Sequence, residues 1–335
     1  FYRVSNFNHP INSWDVSNVT DMVKMFDSAF NFNQPLDNWD VSNVTDMYSM
    51  FGEAYAFNQP IDNWDVSNVT DMNKMFYYAK SFNQPLNNWD VSNVTNMSLM
   101  FFYAESFNQP LNNWDVSNVT TMKFMFYRGT SFNQALDNWD VSNVNMMMSM
   151  FYYATSFNQA LNNWNVSNVT DMSSIFRFAE SFDKPLDNWD VMNTTDMDFM
   201  FFNAQSFNQD ISNWCVEQIT AEPEDFSTSS QLGSNQNFKP NWGVECENLN
   251  IDGFEQVGVK IYPNPTTDKI YISLNNVQIE DEIIISIFDL NGKVLLRKSY
   301  KVMPTEMNLS FLTQGIYLLT IDDINTIHTN RIIKR

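Results

Sequence analysis

Glycine is scarce in this chain: 8 of 335 residues, where average usage of about 7% would give roughly 23. No G-x-G-x-x-G and no P-loop occurs, so no glycine-rich loop is available to cradle a phosphate. His and Cys number 2 each, too few for zinc-finger frameworks or a disulfide-dense scaffold. Basic residues are outnumbered, 18 against 39 acidic, for a net charge of −21. That sum argues against electrostatic binding to nucleic acid or to an anionic membrane face. No run of about 18 apolar residues is present, so no segment reads as a transmembrane helix. What is abundant is apolar. Hydrophobic residues make up 44%, with Phe 29, Met 20 and Trp 10, more than a disordered acidic polymer carries.

Such bias points to one unit copied many times. Trp recurs at 14, 39, 64, 89, 114, 139, 164, 189 and 214, a period of 25 without insertion or deletion. Phe keeps the same beat from Phe7 to Phe207. The unit reads F-N-Q-P-L-D-N-W-D-V-S-N-V-T-D-M-x-x-M-F-x-x-A-x-x. A propeller blade needs about 40 residues. Twenty-five hold one short strand, one short helix and two turns, which predicts a solenoid.

The second copy shows the expected local structure. Trp39, Asp40 and Val41 alternate apolar, polar, apolar, as in a strand with one buried face. Ser42, Asn43 and Val44 read as a turn, and Thr45 stands where a helix N-cap belongs, with Asp46 in the first turn. Met47, Met50, Phe51 and Ala54 follow at the spacing of one helix face. One copy cannot bury these groups alone, whereas stacked copies can. Asn43, Asn68, Asn93, Asn118, Asn143 and Asn168 then form a column able to hydrogen-bond from copy to copy.

The W-D-V-S-N-V-T-D-M units resemble those of the BspA-like leucine-rich-repeat surface proteins, over residues 1 to about 246. The resemblance implies an α/β repeat solenoid, leucine-rich-repeat-like, with one short strand and one short helix per 25-residue coil. It also implies a bacterial protein that is secreted or displayed at the surface, in a family often linked to adhesion and mostly without a defined ligand. Phe1 aligns with Phe26 and Phe51, so the array over 1–210 is expected to be truncated at its N-terminus. Residues 211–246 read as a capping coil. Its W-C-V…W-G-x-x-C ending resembles the close of many family members, which implies a disulfide between Cys215 and Cys246 and an oxidising compartment. The alternative is two unrelated free thiols. Residues 247–256 lack periodicity and form a short acidic linker.

Residues 257–335 lose the 25-residue beat. Strand-like runs at 259–262, 269–274, 282–289, 293–300, 306–311, 315–321 and 328–334, with Asn291-Gly292 as a hairpin signal, predict a small Ig-like β-sandwich. The segments V-K-I-Y-P-N-P-T at 259–266, S-I-F-D-L-N-G-K-V at 286–294, G-I-Y-L-L at 315–319 and R-I-I-K-R at 331–335 resemble the type IX secretion sorting domain. That resemblance implies engagement of the type IX machinery through residues 257–335. It also implies export across the outer membrane of Bacteroidetes-type bacteria and residence on the cell surface or outside the cell. An ordinary Ig-like binding module is the alternative.

No catalytic constellation emerges, and the chain is expected not to be an enzyme. His9 replaces a turn Gln, and His328 lies in a strand of the last segment; neither has a partner at nucleophile–base spacing. The Met stripe reads as core filling rather than a metal or cofactor site. Asp15, Asp40, Asp65, Asp90, Asp115, Asp140 and Asp190 share one outward position, interrupted by Asn165 and Cys215. They form either a solvated face that blunts aggregation or a ligand face for a basic partner, sugar hydroxyls or Ca²⁺. No other cofactor is expected. A second acidic column, Asp21, Asp46, Asp71, Asp171 and Asp196, has a local reason at the helix start. Tyr77-Tyr78, Phe102-Tyr103 and Tyr152-Tyr153 fall just past the core Phe. They are either partly buried between neighbouring helices or an exposed aromatic row for sugar or peptide. The functional expectation is a binding or adhesion scaffold for a glycan, matrix or cell-surface partner. A ligand-free spacer or surface-layer element, or an accessory module of a larger secreted protein, are the alternatives.

Overall fold

In a computed structural model of the chain, the residues described are 1–244, 258–262, 266–275, 283–289, 293–301, 304, 306–322 and 327–334. Cys246, the expected linker 247–256 and the Asn291-Gly292 turn lie outside them. The chain divides into two compact units, Phe1–Cys246 and Glu247–Arg335.

In the first unit each copy lies over the last, residue above like residue. The third copy shows the bonding. The backbone N–H groups of Met72, Lys74, Phe76 and Tyr78 donate to the carbonyls of Asn96, Ser98, Met100 and Phe102 in the next copy. Thr70 N–H donates backward, to Thr45. The alternate amides close tight turns within the copy, Met75 to Met72, Ala79 to Phe76 and Phe82 to Ala79. Buried amides of Met72, Met75, Phe76, Ala79 and Phe82 thus find acceptors, as an unpaired one would cost free energy comparable to a lost hydrogen bond.

The side chains stack in the same register. Phe76 lies between Phe51 and Phe101 at ring-centroid distances of 5.8 and 5.5 Å, with interplanar angles of 4° and 9°. Trp89 and Trp114 are 6.4 Å apart and 3° from parallel. From Trp39 to Trp214 the indole N–H donates to a carbonyl of the preceding copy, Trp89 to Ile61 at 2.9 Å. Trp39 to Trp214 are 2–4% exposed, whereas Trp14 is 49% exposed. The expected Asn column does bond between copies, though not amide to amide: Asn93 Nδ2 donates to the Ser67 carbonyl at 2.8 Å. A second Asn column does more. Asn83 Oδ1 accepts from both Asn108 N–H and Gln109 Nε2, each at 2.9 Å.

The expected short helix is not formed. Met47, Met50, Phe51 and Ala54 are all fully buried, so the burial pattern is that of one helix face while the backbone is not helical. Ser49 and Glu53 adopt left-handed φ of 53° and 56°, which breaks an α-helix at each turn and aims the intervening amides at the next copy. Thr45 Oγ1 accordingly donates to the Thr20 carbonyl at 3.2 Å instead of capping. The expected strand at 39–41 alternates in burial but pairs with nothing. Parallel bridging runs instead through Asp21, Asp46, Asp71, Asn96, Thr121, Met146, Asp171 and Asp196, one residue per copy.

Past residue 211 the ring column turns. Phe226 is 89° to Phe201, and Trp242 is 78° to Phe226, edge to face. Two single-turn 3-10 helices, Leu232–Ser234 and Gln236–Phe238, follow, with Leu232 N–H donating to the Phe207 carbonyl at 2.8 Å and Ile211 N–H to the Phe238 carbonyl at 2.9 Å. Lys239, almost wholly buried, pairs with Glu222 at 2.6 Å. Gly243 has φ 64°, and a Cβ there would lie 2.8 Å from Thr220 Cα.

Among its described residues the second unit has seven strands: β1 Gly258–Tyr262, β2 Lys269–Asn275, β3 Ile283–Phe288, β4 Val294–Tyr300, β5 Glu306–Asn308, β6 Gly315–Asp322 and β7 Ile327–Lys334. They form two antiparallel sheets, β1-β2-β5 and β4-β3-β6-β7. Ile270, Ile272 and Met307 from one sheet share a core with Ile285, Ile287, Leu319, Ile321 and Ile332 from the other.

Phe101→Ala opens a void in a continuous ring column and is expected to destabilise the array by about 3–5 kcal/mol, read as a lowered denaturant midpoint. Far-ultraviolet circular dichroism of the full chain is expected to lack the α-helical double minimum; a strong one would contradict the turn geometry.

Candidate ligand face

The Asp column is occupied by its own backbone. Asp40 Oδ1 accepts from Ser42 N–H at 3.1 Å and Ser42 Oγ at 2.6 Å, and Asp15 and Asp65 bond Ser17 and Ser67 the same way. Asp90, Asp115, Asp140 and Asp190 accept from the N–H two residues on. Asn165 makes the same pair of bonds to Ser167, without charge. The column is therefore a row of Asx turns. The Ser17, Ser42 and Ser92 hydroxyl and amide donors hold the carboxyls of Asp15, Asp40 and Asp90 below the ordinary aspartate value. Among the described residues, no three His, Cys, Asp or Glu side chains gather where they could hold a metal ion.

The second acidic column does related work. With no helix to start, Asp46, Asp71, Asp171 and Asp196 instead accept the N–H two residues on, at 2.7 to 3.0 Å. Burial pushes Asp71 and Asp196 above the ordinary value, and the neighbouring Asp46 and Asp171 add to it.

A third set of columns is different in kind. Tyr77, Phe102, Tyr127 and Tyr152 stack face to face at 4.9, 4.6 and 4.3 Å, within 14° of parallel. Beside them Tyr78 stacks on Tyr103 at 4.4 Å. Arg128 then takes a ring's place, its guanidinium 5.1 Å from Tyr103 and 4.6 Å from Tyr153. Arg177 does the same beyond Tyr152, at 5.8 Å, and lies 4.4 Å from Phe199 and 4.8 Å from Phe202. These side chains are half-buried. Burial pushes the Tyr78 and Tyr127 phenols up to about 12.

Tyr78, Tyr103, Arg128, Tyr153 and Phe178 sit at φ of 56–59°, the left-handed turn that Ser28, Glu53 and Asn203 also adopt in this column, so that conformation belongs to the repeat rather than to this face. What marks the face is its intercalated arginines. In addition, Nε of Arg128 and of Arg177 is buried without a hydrogen-bond partner, and among the described residues neither guanidinium makes an ion pair. Sequence reasoning had the tyrosines but missed the arginines and Lys74 and Lys123. Placing the few cations on the 25-residue period would have found them.

Of the remaining sequence candidates, His9 is exposed and His328 lies in β7, paired with Ile321. The Met stripe is core: Met47, Met72, Met97, Met122, Met147, Met172 and Met197 are fully buried. The Cys215–Cys246 pairing falls on Cys246, outside the described residues. Among the described residues no helix is long and apolar enough to cross a membrane.

A family profile described as "Mycoplasma protein of unknown function, DUF285" matches residues 1–74, 57–151 and 130–242. One described as "Secretion system C-terminal sorting domain" matches residues 260–335. The chain is also similar to the ulvan lyase NLR42 of Nonlabens ulvanivorans, 27% identical over 89 residues, which is 26% of this chain and 16% of that enzyme.

Asp71 tests the electrostatics. Its folded pKa is raised, so its ionised form opposes folding above that pKa, and the penalty fades as pH falls through it. Asp71→Asn is expected to raise stability at neutral pH by less than about 1 kcal/mol, given solvent screening, with no gain in acid. Asp40 has the opposite sign. Its lowered pKa means its contribution is present above the ordinary value of 3.8 and lost as pH falls through the folded one. Ser42→Ala is expected to return the Asp40 titration, followed by NMR, toward that value.

Proposed function

Because the chain belongs to the DUF285 family of repeat proteins and closes with a secretion system sorting domain, we propose that it is an exported scaffold that works by binding. The sorting domain directs export to the cell surface or extracellular space through the type IX machinery. The finer reading is an adhesion protein of BspA-like type, its repeats forming a leucine-rich-repeat-like solenoid whose coils are turns rather than strand and helix. Cys215 and Cys246 close its C-terminal end as a disulfide.

The observation that carries the binding role is the aromatic and arginine ladder, where Arg128 and Arg177 stand half-buried among rings with no carboxylate partner among the described residues. The Asp column is not the ligand face in this reading, since Oδ1 of each carboxylate serves a turn. Regular columns give many weak contacts along one axis, which add as avidity. No catalytic role is proposed, and the similarity to a lyase, confined to 16% of that enzyme, transfers no reaction.

The full chain applied to a glycan and matrix-protein array is expected to bind at least one class of target. Silence at every ionic strength would favour a ligand-free spacer.

A further inference from the structure

Charge is segregated in the first unit. Arg3, Lys24, Lys74, Lys123, Arg128 and Arg177 all fall in the four columns that hold Asn73, Lys74, Tyr77 and Tyr78; the other basic residues of 1–246 are Lys80, Lys184 and Lys239. From residue 73 to residue 178 these four columns contain no carboxylate. Asp27 and Glu53 precede that stretch, and Asp198 and Glu224 follow it. The adjoining Asp column is itself interrupted there, at Asn96, Thr121 and Met146. A protein of net charge −21 therefore carries a strip in which Lys74, Lys123, Arg128 and Arg177 share four columns with no acid.

The ring geometry sets what that strip can hold. Faces of Tyr77, Phe102, Tyr127 and Tyr152 cover one another, so the surface offers ring edges and phenol hydroxyls, not flat platforms. Ring edges are the positive side of the aromatic quadrupole. Phenol O–H groups and guanidinium forks donate hydrogen bonds and favour oxyanions. The ring edges, phenols and cations of the strip thus suit a negative ligand. Bases of a nucleic acid need open ring faces to stack on, and these are used up. The strip repeats at one coil spacing, about 4.8 Å, on a chain exported from the cell.

Resting on the binding role above, we propose that the strip from Lys74 to Arg177 binds an acidic polysaccharide, its carboxylate or sulfate groups held by Arg128, Arg177, Lys74 and Lys123 and its hydroxyls by the intervening tyrosines. Oxyanions meet the guanidinium groups that have no carboxylate partner of their own. Attraction of this kind is screened by salt.

The test is calorimetric titration of the full chain with polygalacturonate and with carrageenan, against dextran, polyglutamate and single-stranded DNA. Binding to polygalacturonate or carrageenan that weakens with salt, absent for dextran, is expected. Arg128→Gln with Arg177→Gln should weaken it by about tenfold or more, the scale for losing charged hydrogen bonds. Arg128→Lys with Arg177→Lys should recover part of the loss, and Asp65→Asn with Asp90→Asn should change nothing. Circular dichroism matching wild type shows that each variant is folded. Equal binding of dextran, or an unchanged double Gln variant, overturns the proposal, as does equal or tighter binding of polyglutamate or DNA. No binding to any probe also overturns it. In that case a target found on the array leaves the scaffold reading standing, and silence there fails both.

Discussion

Alternate backbone amides in each copy donate to the copy stacked upon it, and the rest of the repeat follows from that exchange. Met72, Lys74, Phe76 and Tyr78 can reach the next copy only because left-handed residues at 74 and 78 turn the chain between them. The same geometry sets like residue above like residue. Phe rings, indoles and thioethers then fill continuous columns, and asparagine side chains bond from copy to copy. Strain of about 1–2 kcal/mol at a left-handed residue is offset by burial of several large side chains per copy, each worth about 1.5–3 kcal/mol.

Much of this was legible. The period, the residues inside, the turn at 42–44 and the positions of the seven strands in the second unit all follow from pattern. The helix over 47–54 did not follow, for a physical reason. Spacing of i, i+3, i+4 and i+7 marks which residues share a buried side, and a chain of tight turns with a left-handed residue every fourth position gives the same spacing. Nothing in residues as varied as Ser49, Lys74, Leu99 and Phe124 announces positive φ, since glycine, the usual marker, is absent there. The sequence-stacking logic survives the change because it depends on burial and not on how each amide is satisfied.

The candidate face was half legible. The tyrosine pairs stand out in the repeat, but net charge is a sum and hides segregation. A chain at −21 reads as anion-repelling until its few cations are placed on the period. The Asp column leaves a solvated face or a ligand face open to sequence reading, and the bonds that one oxygen of each carboxylate makes to close a turn are not visible there. Carboxylates of the two Asp columns accept from the backbone, while Lys74, Lys123, Arg128 and Arg177 fall in columns that carry no acid between residues 73 and 178.

Residue-resolved hydrogen exchange in the Phe101→Ala full chain tests the stacking most directly. Met72, Lys74, Phe76 and Tyr78 donate into the copy that carries Phe101, so their amides are predicted to lose protection together. Unchanged protection at those four, with loss confined to the turns around Phe101, would mean that each copy satisfies itself, and would contradict the account.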